Sequence, residues 1–128
     1  MSLSYPESNE LTGQIISACI EVHRHLGAGL LESAYDDALY LELSDRGFAI
    51  ERERSIPVRY KSHVLTSVYR ADMVVERTVL LEIKSVEKTL PVHKSQVLTY
   101  LRMAELHIGL LLNFNVERMV EGITRISL

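Results

Sequence analysis

The chain has 128 residues, 47% hydrophobic and 24% charged, a balance that suits one compact domain and excludes a disordered or fibrous chain. No apolar run approaches the ~20 residues a membrane-spanning helix needs, and Met1-Ser2-Leu3-Ser4 lacks the basic and apolar regions of a signal peptide, so no membrane partner and a cytoplasmic location are expected. With 14 Lys and Arg against 17 Asp and Glu, the net charge of −3 removes the direct argument for nucleic acid that a strongly basic chain would offer. Any polyanion contact must be local.

Read in chain order, residues 1–8 form a flexible N-terminal segment ahead of a single domain. Residues 10–26 then place Leu11, Ile15, Ala18, Cys19, Val22 and Leu26 at helical spacing. The lone cysteine, Cys19, falls in this stripe and reads as core filler. Gly27-Ala28-Gly29 stops the helix, and residues 30–46 resume a helical pattern through Leu31, Ala34, Tyr35, Ala38, Leu39 and Leu43, closed by Gly47.

From Phe48 the composition turns toward strands. Ile50, Ile56, Val58 and Tyr60 precede a Lys61-Ser62 turn, and residues 64–69 continue in strand form. Pro57 has no backbone donor and implies an edge position or an irregularity. Residues 71–75 and 79–85 read as two strands joined through Glu76-Arg77-Thr78. Pro91 introduces a third helix over residues 93–104, residues 107–112 suit a buried strand, and residues 122–126 form a last short one. The order α-α-β-β-β-β-α-β-β predicts an α/β fold, a central mixed sheet flanked by helices, with the first two helices on one side and the third packed nearby.

The chemistry concentrates in Leu80-Leu81-Glu82-Ile83-Lys84, where two opposite charges sit two residues apart in an apolar strand and project from one sheet face. Alone, this is most simply a solvated face or a structural Glu-Lys pair. Asp72, inside Ala71-Asp72-Met73-Val74-Val75, is equally ill-suited to its neighbours and changes the weighing. If Val75 pairs with Val79 across a three-residue loop, Asp72 stands opposite Glu82 and Val74 opposite Leu80, with Met73, Val75, Val79, Leu81 and Ile83 on the apolar face. A two-residue loop would split the carboxylates. An Asp and a Glu within reach of one oxygen-preferring cation, Mg²⁺ or Mn²⁺, beside a lysine, make a phosphodiester-cleaving site. Lys84 there can orient or deprotonate water, or stabilise charge on the transition state.

Asp72, Glu82 and Lys84 resemble the D…E-x-K signature of the PD-(D/E)XK nuclease superfamily, and Gly29-Leu30-Leu31-Glu32-Ser33-Ala34-Tyr35 resembles the signature of the GxxExxY family assigned to it. Tyr69-Arg70-Ala71-Asp72, Gln96-Val97-Leu98-Thr99-Tyr100-Leu101 and Leu112-Asn113-Phe114 extend the resemblance from about Leu11 to Ile126. The resemblance implies a restriction-endonuclease-like core with an intact site. It implies that Glu32 completes the metal site from its helix, although a glutamate in a first helical turn is equally explained by the helix dipole. It also implies that Gln96 and Tyr100 turn toward the site from the third helix, where a solvated polar stripe is the plainer explanation; His93 shares that stripe with a weaker claim. Tyr35 reads as a packing residue with a bonded hydroxyl. The remaining histidines have no zinc-ligand spacing.

The leading expectation is a divalent-metal-dependent nuclease acting on DNA or RNA, with Asp72 and Glu82 as ligands, Glu32 assisting and Lys84 beside the water. The alternative is a noncatalytic nucleic-acid-binding or assembly module, in which a homo-oligomer or protein partner supplies affinity. It has weight because Arg70, Lys88, Lys94 and Arg102 are scattered along the chain and there is no obvious recognition helix. Gly-rich phosphate loops, nucleophile elbows and redox cysteine pairs are absent from the sequence.

Overall fold

The computed structural model describes residues 5–128, with side chains described from Asn9 onward. The expectation of a flexible segment over residues 1–8 falls on residues outside this description, apart from the backbone from Tyr5, which is assigned to the first helix.

Helix α1 (Tyr5–Leu26) buries Leu11, Ile15, Ala18, Cys19 and Val22, the one-faced stripe that helical spacing dictates. Leu26, expected in that stripe, is 40% exposed, because the helix ends there at Gly27, whose φ of +70° takes the chain out of helical geometry. Helix α2 (Glu32–Asp45) buries Tyr35, Leu39 and Leu43 at i, i+4 and i+8. It starts later than expected, so Leu31 stands outside it at 78% exposure.

The strands are β1 (Ile50–Ile56), β2 (Arg59–Tyr60), β3 (His63–Val64), β4 (Tyr69–Val75), β5 (Val79–Lys84), β6 (Ile108–Asn113) and β7 (Ile123–Ser127). Five form one sheet in the order β1-β4-β5-β6-β7; only β5 and β6 are parallel neighbours. Helix α3 (Pro91–Ala104) makes the crossover between that parallel pair. Pro57 lies immediately beyond the end of β1, an edge strand, where its missing donor interrupts no central ladder.

The strand expected over residues 64–69 is corrected. His63–Val64 pairs only with Arg59–Tyr60, residues 65–68 are irregular, and Tyr69 already belongs to β4. Hydrophobic composition suggested a strand, but every residue from 59 to 70 is exposed, so no core imposes extended pairing.

The sheet is covered on both faces. On one, α1 and α2 pack against Met73, Val75, Val79, Leu81, Ile83, Leu110 and Leu112. On the other, Val97, Tyr100 and Leu101 of α3 pack against Val74, Leu80 and Leu111. Burial on both faces explains why β5 and β6 read as continuous apolar runs. Gly109 permits the close approach of α3: a Cβ there would stand 2.8 Å from Val97 Cγ1. This is the α/β core, a central mixed sheet flanked by helices, that the sequence predicts.

Candidate active site

The topology collects several elements at one end of the sheet. Because β4 and β5 are antiparallel, the start of β4 meets the end of β5, and β6, parallel to β5, ends there too with Asn113 aligned to Lys84. The turn before α2 is held to the same end, where Ser85 Oγ donates to the Leu30 carbonyl at 2.7 Å. Tyr35 fixes that turn: its hydroxyl donates to the Gly27 carbonyl (2.6 Å) and accepts from Leu30 N–H (3.1 Å). Its ring stacks on Phe114 at 4.7 Å between centroids and 11° between planes. The glycine, glutamate and tyrosine of the upstream motif thus act as one device, in which Tyr35 anchors the turn, Gly29 adopts φ +95°, and Glu32 is delivered as the first residue of α2.

Val75 pairs with Val79, Val74 with Leu80 and Met73 with Leu81, the three-residue-loop register. Continuing it sets Asp72 against Glu82. There the carboxylates replace ladder carbonyls as acceptors: Asp72 N–H donates to Glu82 Oε1 (3.1 Å), and Ile83 N–H donates to Asp72 Oδ2 (2.7 Å). This reciprocal pair holds both side chains in fixed positions without a partner cation.

Glu82 is buried at 4% exposure, and burial is the first reason its carboxyl is pushed up to about 8; the charge of Asp72 and, more weakly, of Glu32 adds to it, against the Asp72 N–H and Lys84. Asp72 is pushed up to about 6 by burial first, then by Asp36 and Glu32, against the Ile83 N–H and Lys84. Negative charge has been concentrated beyond what the protein itself compensates. Oxygen donors carrying such an excess are a set that a hard divalent cation fits.

Lys84 is half-buried at the end of β5 and among the described residues forms no ion pair within 4.0 Å, although its charge acts on both carboxyls. Glu32 is exposed on the rim of an open cleft that it shares with Asp72, Asp36, Asp37, Arg52 and Glu53. Among the described residues, no three His, Cys, Asp or Glu side chains converge closely enough to cage an ion. Tyr100 is buried, its hydroxyl accepts from Gln96 Nε2 at 3.0 Å, and burial raises its phenol, with Glu82 and Asp72 contributing. Tyr100 therefore lies within electrostatic reach of the carboxylates and holds Gln96 beside it. His93 instead caps α3, where its Nδ1 accepts from Leu90 N–H at 3.0 Å.

Two contributions escaped the sequence. Arg52 bonds Asp36 and Asp37 at 2.5 and 2.7 Å and lies 4.5 Å from the centre of the Tyr40 ring, tying β1 to α2 along one wall of the cleft. The signal, Glu32 and Asp36 at i and i+4, was present, but its partner strand was not. Asn113, which the sequence offered only within the Leu112-Asn113-Phe114 resemblance, is 3% exposed: its Oδ1 accepts from Val86 and Asn115 N–H, and its Nδ2 donates to the Val86 carbonyl. It clamps the chain just after Lys84. A buried amide needs such partners, so an Asn ending an apolar run was the available clue.

No curated protein and no solved structure matches the chain. A family model described as the PD-(D/E)XK nuclease superfamily matches residues 9–126, which carry the sheet up to the last residue of β7, all of α2 and α3, and the Asp72, Glu82 and Lys84 cluster, and the chain belongs to that superfamily.

Proposed function

We propose that the chain is a divalent-metal-dependent nuclease of the GxxExxY type that hydrolyses phosphodiester bonds in DNA or RNA in the cytoplasm. The observation that carries this reading is the reciprocal bonding of Asp72 and Glu82, which holds two undercompensated carboxylates beside Lys84 at one end of the sheet. Asp72 and Glu82 are the residues that would hold Mg²⁺ or Mn²⁺, with Glu32 assisting from the rim. Bound there, the ion would offset phosphate charge and lower the pKa of water.

Hydrolysis adds water across a P–O bond: the water oxygen joins phosphorus, the bond to the sugar oxygen breaks, and that oxygen takes a proton. The Lys84 ammonium stabilises negative charge growing on the phosphate oxygens. The strand backbone holds both carboxylates in place before substrate arrives, and Asn113 keeps the chain after Lys84 from drifting. Tyr100 orients Gln96, whose amide is free to bond water or phosphate through its oxygen.

One observation favours a noncatalytic module instead: the third carboxylate does not close a cage. A cleavage screen over single- and double-stranded DNA and RNA with Mg²⁺ and Mn²⁺, run beside Lys84→Ala, separates the two. Metal-dependent products lost in the variant support the nuclease. Nucleic-acid binding without products from any substrate supports the module.

A further inference from the structure

Between Glu53 and Asp72 the sequence contains no carboxylate, while Arg54, Arg59, Lys61 and Arg70 add four positive charges, in a protein whose net charge is −3. The structure makes the middle of this stretch, residues 57–68, a separate object, while Arg54, 3.6 Å from the Glu51 carboxylate, and Arg70 stay in β1 and β4 of the main sheet. Between the end of β1 and the start of β4, the chain leaves the main sheet and forms the two-stranded hairpin of β2 and β3, with every residue from Arg59 to Arg70 exposed. At its tip Tyr60 is 59% exposed, with Lys61 Nζ 5.4 Å from the ring centroid. Exposed Val64 and Val68 follow. At its root Tyr69 lies against Tyr100 of α3, the rings 6.5 Å apart, and Asp72 is three residues further along β4, roughly 10 Å at strand rise.

We propose that this arm holds a single-stranded stretch of nucleic acid next to the carboxylate site, with Tyr60 stacking on an unpaired base and Arg59 and Lys61 on phosphates. The inference rests on the nuclease reading for its substrate but not for its binding chemistry. Charge decides against a symmetric pairing of two arms, since it would bring like charges together. The exposed aromatic decides between forms of nucleic acid: an unpaired base presents a face for stacking, whereas a duplex hides its base faces and would need only the cations. The arm also supplies the local positive surface that the overall charge does not, and it leads directly into the strand that carries Asp72, so a bound strand has a fixed path to the site.

Fluorescence anisotropy with the full chain tests this, using a labelled single strand of about 16 nucleotides and the corresponding duplex, in EDTA so that no metal-dependent cleavage consumes the probe. The single strand should bind more tightly than the duplex. Tyr60→Ala should weaken single-strand binding by about tenfold or more, and Tyr60→Phe should restore it. Arg59→Gln with Lys61→Gln should lower the slope of log affinity against log salt by about 1.4. All three side chains are exposed and outside the main sheet, so unchanged thermal unfolding should accompany these effects. Duplex bound as tightly as the single strand, no binding by the natural chain, or variants that bind like it would each overturn the arm. A parallel cleavage assay separates the two proposals: cleavage that ignores arm substitutions leaves the nuclease standing without the arm, and arm-dependent binding by a chain that cleaves nothing leaves the arm standing without the nuclease.

Discussion

The two ends of the β4–β5 hairpin carry acidic residues in opposite circumstances. At the turn, Glu76 and Arg77 both have positive φ, 52° and 55°, yet the strain is held by ordinary bonds: Glu76 N–H donates to the Ala49 carbonyl, Glu76 Oε2 accepts from Ala49 N–H, and Thr78 Oγ1 donates to the Glu76 carbonyl. Glu76 is exposed and its charge stays in water. At the other end, Asp72 and Glu82 also bond to backbone N–H groups, each on the other's strand, but Glu82 is buried and Asp72 half-buried. Hydrogen bonding alone therefore does not distinguish a solvated acid from one whose carboxyl is pushed up. Burial with an uncompensated like charge does.

The largest expected effect breaks the comparison by removing the nearby cation. Lys84→Ala should lose roughly 10²-fold or more of cleavage while keeping Mg²⁺ or Mn²⁺ affinity, since an ammonium has no lone pair to donate; Asp72→Ala should lose both. Calorimetric metal titration beside the cleavage assay reads the two losses separately, and full activity in Lys84→Ala would refute its role.

Next comes pH. Asp72 and Glu82 hold their protons more tightly folded than unfolded, so their contribution to stability is fully present below the ordinary carboxylate range near pH 4 and is lost as pH rises through about 6 and then about 8. In EDTA the melting temperature should fall across that window by the equivalent of a few kcal/mol, and Mg²⁺ should restore it at the alkaline end. Glu82→Gln should flatten the upper part of the fall. A stability profile that rises over the same range would contradict the burial argument.

Tyr35→Phe sharpens the comparison from a distance, keeping the Phe114 stack but leaving the Gly27 carbonyl and Leu30 N–H without their partner. Denaturant unfolding should show a loss of about 1–3 kcal/mol. Metal affinity should fall only insofar as Glu32, placed by this turn, assists the ion. The smallest effect belongs to the turn end: Glu76→Gln should change stability by about 1 kcal/mol or less and cleavage not at all, because its carboxylate remains solvated.

Much of the architecture was legible because the helices and central strands each carry a strong local pattern. Ile15, Cys19 and Val22, at i, i+4 and i+7, share a buried face in a helix but not in a strand, and the run from Val79 to Ile83 suits a strand covered on both sides. Residues 64–69 misled because apolar composition marks what can form a strand, while pairing requires a neighbour, and there the neighbour is only a two-residue β2.

By itself the sequence determined the fold class and the oddity of Asp72, Glu82 and Lys84, since these depend on side-chain periodicity and on the cost of charge in an apolar strand, while the choice between a three-residue and a two-residue loop after Val75 was left to the structure. Tertiary structure alone decided that Arg52 meets Asp36, that Asn113 clamps the chain after Lys84, that His93 caps a helix, and that residues 57–68 project as an arm. Each of these joins residues or surfaces that no local period relates. Their meeting is set by strand order and helix placement, which follow from burying both faces of the sheet at once.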